Sequence, residues 1–237
     1  WARGAEQSRD RRVITHPPGS GLRYPVALRG EDPVKLMMGL SGAFLAFLLT
    51  GLLAQAVLRV SWFLRGQPDF REYQSLALAY ELPDGMLASH LGIAGLLLFV
   101  PLIHRYWHGR KAAWAISVQP GGRWRYLLIC FVVAAAVLNV VMWLVRGGSM
   151  AWQAAQSDWV VYLVLILITS PLQAAAEEFF FRGYLQQAIG SLAGRAWVGI
   201  LCSALVFALF HGNQNIALFA HRLGFGLIAG TLVWATG

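Results

Sequence analysis

Residues 159–182 read WVVYLVLILITSPLQAAAEEFFFR. Eighteen uncharged residues, Trp159 to Ala176, lead into Glu177 and Glu178, and Phe179, Phe180 and Phe181 restore the apolar run before Arg182. A stretch of roughly 20 predominantly apolar residues is what a helix needs to cross a hydrocarbon core. Ionisable side chains at that depth are costly and mark a polar interior kept for a function.

The surrounding sequence is of the same kind. Of its 237 residues 57% are hydrophobic and only 13% charged, and mean hydropathy is +0.56. Such a composition belongs to the membrane class. Five further apolar segments lie near 36–58, 88–106, 125–145, 196–211 and 214–236, beside one at 158–189. The expected fold is therefore all-α: a polytopic transmembrane helical bundle with about six spans, its fifth segment short. Residues 1–35 hold Pro17, Pro18, Pro25 and Pro33 and seven of the 19 Lys/Arg, and read as a flexible basic tail with no core. Residues 36–237 form the membrane domain.

The formal charge of +8 does not indicate nucleic acid, because the basic residues sit in the tail and the short connections, as topology signals do. Seven precede the first span, three lie in 59–87 with four acids, and five in 105–125, which orients the amino terminus to the cytoplasm. Cys130 and Cys202 lie inside apolar segments without metal or disulfide spacing and read as buried small residues. The fourth segment is the longest, ~48 Å if wholly helical, so it must tilt, bend or protrude; Pro171 offers a kink site.

Glu178 and Arg182 are spaced i, i+4, share a helix face and can pair. Glu177 is rotated by about 100° and is the less neutralised acid, available to take a proton. If the fourth and fifth segments form an antiparallel hairpin turning at Gly190 to Arg195, Glu177 and His211 lie at depths of ~20 and ~24 Å, nearly level. A carboxylate and an imidazole facing each other in a bundle with water access can bind and deprotonate a water for attack on a carbonyl. The same two residues could be ligands to zinc, but a catalytic zinc normally takes three protein ligands, so no metal is obligatory on ligand count.

Glu177-Glu178-Phe179-Phe180-Phe181-Arg182 resembles the EExxxR motif, and Phe207-Ala208-Leu209-Phe210-His211 the FxxxH motif, of the CPBP intramembrane proteases. That family includes the Ras-converting CAAX endopeptidase and the bacteriocin-processing and self-immunity proteins of the Abi group. The resemblance covers roughly residues 160–237, with a catalytic core near 158–237. It implies an endopeptidase, glutamate-type or metalloprotease, with Glu177 as the water-activating base, His211 as its partner and Glu178 and Arg182 in support. The family's third motif, HxxxN or HxxxD, is expected beyond Gly237. His211 to Asn215 matches HxxxN but overlaps the second motif. Asn213 and Asn215 are read as lining the mouth of the site or capping a turn, with substrate contact as the alternative; His221 fails the pattern.

His104 and His108, also i, i+4, could bind metal but are read as interfacial residues of a basic connection. Gly226 and Gly230 form a GxxxG pattern expected to serve packing within the chain. The partners expected are membrane lipid and a peptide or membrane-protein substrate, and the Arg- and Ala-rich composition points to a bacterial plasma membrane. The rival reading is a non-catalytic immunity or scaffold protein, or a small-solute carrier, using the same polar cluster; the internal repeat a carrier would show is not evident.

Overall fold

The computed structural model describes residues 23–117, 124–149, 158–212 and 214–237. All regular structure among them is helical. Five helical stretches are long and apolar enough to cross a membrane: Pro33–Leu64, Pro83–Trp107, Trp124–Arg146, Trp159–Ala193 and Ile216–Thr236; a sixth, Ala196–Leu209, is shorter. The six expected segments are thus present as a polytopic all-α bundle, and the chain is an integral membrane protein.

The chain divides into two units, one of residues 1–119 and 161–237, the other of residues 120–160. The second is dominated by α5 (Trp124–Arg146), which buries no residue. A helix apolar on all sides with no buried face is suited to lipid. Cys130 is exposed on it rather than buried.

In the larger unit α1 (Pro33–Leu64) starts at Asp32, whose side chain accepts from the Val34 amide, with Pro33 at the first helical position; both are favoured helix starts. A short surface helix, α2 (Phe70–Leu78), leads into α3 (Pro83–Ala94) and α4 (Leu96–Leu102). α3 lies close on α1, where a Cβ added to Gly92 would stand 2.8 Å from the Thr50 carbonyl oxygen and 2.9 Å from the Ala54 Cβ. Arg65, just past the end of α1, pairs with Asp84 in the first turn of α3 at 2.8 Å.

The hairpin inferred from the sequence is formed by α6 (Trp159–Phe180), a π-helical turn (Phe181–Gln186), α7 (Gln187–Ala193) and α8 (Ala196–Leu209). It turns at Gly194, which is left-handed at φ 65° and so favours glycine. The helix runs through Pro171, and its departure from α geometry comes ten residues later, in the π turn. α9 (Ile216–Thr236) then packs on α8 through the two GxxxG glycines: a Cβ at Gly226 would lie 3.0 Å from the Ala204 Cα, and one at Gly230 3.1 Å from an Ile200 methyl. The pattern serves packing within the chain.

One expectation fails. Residues 24–28, assigned to a tail without a core, are buried: Tyr24, Val26, Ala27 and Leu28 are at most 8% exposed. The Tyr24 hydroxyl donates to the Ala115 carbonyl at 2.7 Å, and the Leu28 amide donates to Ser191 Oγ at 3.0 Å. Gly190 makes room for this segment, since a Cβ there would run into the Pro25 carbonyl. Residues 1–22 of the same segment lie outside the described residues.

Candidate active site

The acids lie two and three residues before Phe180, the last residue of α6. Gln173, one turn earlier, donates its amide to Glu177 Oε1 at 3.1 Å. Glu178 Oε1 lies 2.9 Å from Arg182 Nη1, so the i, i+4 pair forms. Glu177 makes no ion pair among the described residues.

Arg182 is almost wholly buried, at 2% exposure. Its guanidinium lies over the Phe207 ring at 4.7 Å and faces Phe225 at 5.7 Å. Cation–π contact of this kind is stronger when desolvated. The contact with Glu178 is close without hydrogen-bond alignment, and Nη1 and Nη2 have no hydrogen-bond partner among the described residues. Arg182 is thus held beside Glu178 by charge attraction and by the two rings rather than by an aligned hydrogen bond.

The π turn holds Arg182 in place because its carbonyls are served from other elements. Ser203 Oγ on α8 donates to the Phe181 carbonyl at 2.7 Å, and His104 Nε2 meets the Gly183 carbonyl at 3.1 Å. A carbonyl only accepts, so Nε2 carries the proton of His104. His108 Nε2 lies 2.9 Å from the Tyr184 hydroxyl. His104 and His108 are thus not interfacial: they are 0% and 3% exposed, beneath the segment that carries Glu31. Burial pushes the His108 imidazole down to about 4, against a smaller upward pull from Glu31. Among the described residues, no group of three His, Cys, Asp or Glu side chains is placed to hold a metal.

His211 follows the last turn of α8. Its Nδ1 donates to the Phe207 carbonyl at 2.6 Å, and its ring meets Phe207 edge-on at 4.5 Å. With the proton on Nδ1, Nε2 presents a lone pair in the neutral ring. Contacts between the hairpin arms fix the register: Phe181 meets Ser203 and Phe207, and Arg182 meets Phe207. Glu177 lies five residues before Arg182 and His211 four after Phe207, so the antiparallel arms place both about one turn beyond that contact. No hydrogen bond or ion pair joins Glu177 to His211 among the described residues.

Phe47 of α1 packs on Phe180 at 5.4 Å and Phe210 at 4.5 Å, and Phe44 reaches Phe210 at 6.0 Å. These rings pack on Phe180 and Phe210, which follow the acids and precede His211 in the chain. The connection bearing His211 is tied down by Gln214, which donates to the Ala208 carbonyl at 2.6 Å and accepts from Arg222 Nη1 at 2.7 Å. Asn215 accepts from the Leu218 amide at 2.9 Å as the N-cap of α9; Asn213 lies outside the described residues.

This arrangement can be set beside known proteins. Residues 158–237 match the family model of Rce1-like type II CAAX prenyl endopeptidases. No curated protein and no solved structure matches the chain. The Rce1-like segment begins one residue before α6 and takes in both acids, Arg182 and His211. Gln173, Ser203, Gln214 and Arg222 also lie in it and were not singled out in the sequence. Gln173 was legible, since i, i+4 before Glu177 shares its face; Gln214 and Arg222 act through the fold of the connection and carried no local signal.

Proposed function

We propose that this protein is an intramembrane endopeptidase that hydrolyses a peptide bond of a membrane-associated peptide, with Glu177 as the base and His211 as its partner. The observation that carries the reading is the division between the two acids: Arg182 neutralises Glu178, while Glu177 is held by an amide alone. An acid kept in an apolar bundle without a countercharge from its own helix is poised for proton transfer.

Glu177 takes one proton from a bound water as the water oxygen attacks the scissile carbonyl carbon, and His211 Nε2 accepts the second hydrogen bond of that water. Glu177 then passes the proton to the amide nitrogen as the C–N bond breaks, giving an amine and a carboxylic acid, which loses its remaining proton to solvent. Arg182 stays paired with Glu178 and holds that acid out of the reaction. Zinc would add Lewis-acid polarisation of water and carbonyl, but the described residues do not provide its usual three protein ligands.

The family description supports a peptide carrying a prenylated cysteine near its carboxyl terminus as the substrate to try first. The composition keeps unprenylated membrane peptides as the second class. The Lys/Arg distribution supports a cytoplasmic amino terminus, and the Arg- and Ala-rich composition supports a bacterial plasma membrane.

The test is cleavage of a farnesylated, quenched-fluorescence CAAX peptide and its unprenylated twin by the full-length protein in lipid, with and without a chelator. Cleavage that survives chelation supports the reading. Loss on chelation that zinc restores would replace the metal-free mechanism. Absence of cleavage of both peptides and of a mixed membrane-peptide pool would favour the scaffold or carrier alternative.

A further inference from the structure

α1 and α4 leave an open groove of about 480 Å³ between them. Gly42, Ala46 and Leu49 form one wall; Phe99 of α4, with Ile103 and Trp107 of its π-helical continuation (Ile103–Trp107), forms the other. The groove has the size of a small-ligand site, and its lining is almost wholly apolar. Gly42 keeps it open: a Cβ there would meet no heavy atom within 4 Å.

The groove lies apart from Glu177 and His211. At ~100° per residue along a helix, Gly42, Ala46 and Leu49 share one face of α1. Phe44 and Phe47, which pack on Phe210 and Phe180, project from the opposite face. α1 thus stands between the groove and the end of α6, so a chain seated in the groove is separated from the acids by a helix.

One end of the groove is charged. The start of α1 is joined to Trp107, whose Nε1 donates to the Lys35 carbonyl at 2.9 Å; Lys35, seven residues before Gly42, lies on the groove face of α1. Residues 31–35 and 104–111 hold four cations, Lys35, Arg105, Arg110 and Lys111, against two acids, Glu31 and Asp32. Glu31 is taken by Lys35 and Arg110. Arg105 is exposed and makes no ion pair among the described residues. Its guanidinium stands 5.9 Å from the centre of the Tyr106 ring, which also lines the groove. Tyr106 and Trp107 end a span, where such rings sit at headgroup level. An apolar slot that opens beside an uncompensated cation at that level matches a lipid with a negative headgroup.

We propose that the groove is a site for one anionic phospholipid, with an acyl chain between α1 and α4 and the phosphate on Arg105. The apolar slot selects a lipid over free phosphate. The excess of cations selects a net-negative headgroup over a zwitterionic one.

Native mass spectrometry of the delipidated full-length protein tests this, by titration with phosphatidylglycerol or with phosphatidylcholine of the same chains. The first phosphatidylglycerol should bind at about fivefold lower concentration than the first phosphatidylcholine. Arg105→Gln should bring the two lipids level. Gly42→Phe grows into the open slot and should abolish that first, tight binding of both; Gly42→Leu serves if the larger ring prevents folding. Equal binding of the two lipids by the parent protein, or a preference unchanged in either folded variant, overturns the proposal. Excess S-farnesylcysteine methyl ester should leave the bound phospholipid in place. Its release would give the groove to the chain of a prenylated substrate, and that too overturns the assignment.

Discussion

Glu31 and Glu177 are acids of the same unit with opposite surroundings. Glu31 is clasped by Lys35 at 3.1 Å and Arg110 at 3.0 Å, with His108 Nδ1 at 4.0 Å. Glu177 has one amide. An acid saturated with bases gains nothing by taking a proton and serves to tie elements together, here the start of α1 to the turn after α4. An acid denied a base on its own helix is free to exchange a proton. Partners, more than burial, separate a structural carboxylate from a chemical one.

The contrast breaks most visibly at Glu177. Glu177→Gln keeps shape and the Gln173 contact, so thermal stability should stay within about 0.5 kcal/mol while the cleavage rate falls by about 10³-fold or more. Glu31→Gln should do the reverse: it leaves Arg110 and Lys35 short of a counterion, costs roughly 1–3 kcal/mol in denaturation, and leaves kcat per folded molecule unchanged.

The two histidines beneath Glu31 add a pH signature. The His108 pKa lies near 4 in the fold against about 6.5 unfolded. Between those values the unfolded chain binds the extra proton, so stability is full above about pH 6.5 and is lost as pH falls toward 4, by up to about 3 kcal/mol. Melting curves of His108→Gln should show a shallower loss over that window than the parent. An equal loss would remove His108 as its source. The smallest effect is expected at Gln173→Leu, which takes one hydrogen bond from Glu177 and should slow cleavage by about tenfold without altering stability by more than about 1 kcal/mol.

Much of the bundle was legible because span length and hydropathy are local properties. The Glu178–Arg182 pair and a turn within Gly190 to Arg195 followed from spacing in the same way. What escaped depends on partners far along the chain. Tyr24 to Leu28 are buried because Gly190 leaves room and Ser191 an acceptor for them, which a proline-rich basic stretch does not reveal. His104 and His108 sit in a basic connection and look interfacial until the π turn brings Gly183 and Tyr184 against them. His90 carried no motif; only the fold places it on Thr169.

The division of labour between the adjacent acids is tested most directly by comparing Glu177→Gln and Glu178→Gln in single-turnover cleavage of the peptide that the parent protein cuts. Glu177→Gln should abolish the chemical step. Glu178→Gln should slow it by about tenfold, because Arg182, released from its partner, turns its charge on Glu177 and lowers its basicity. Equal losses in the two variants, or a greater loss at Glu178, would contradict the assignment of Glu177 as the base.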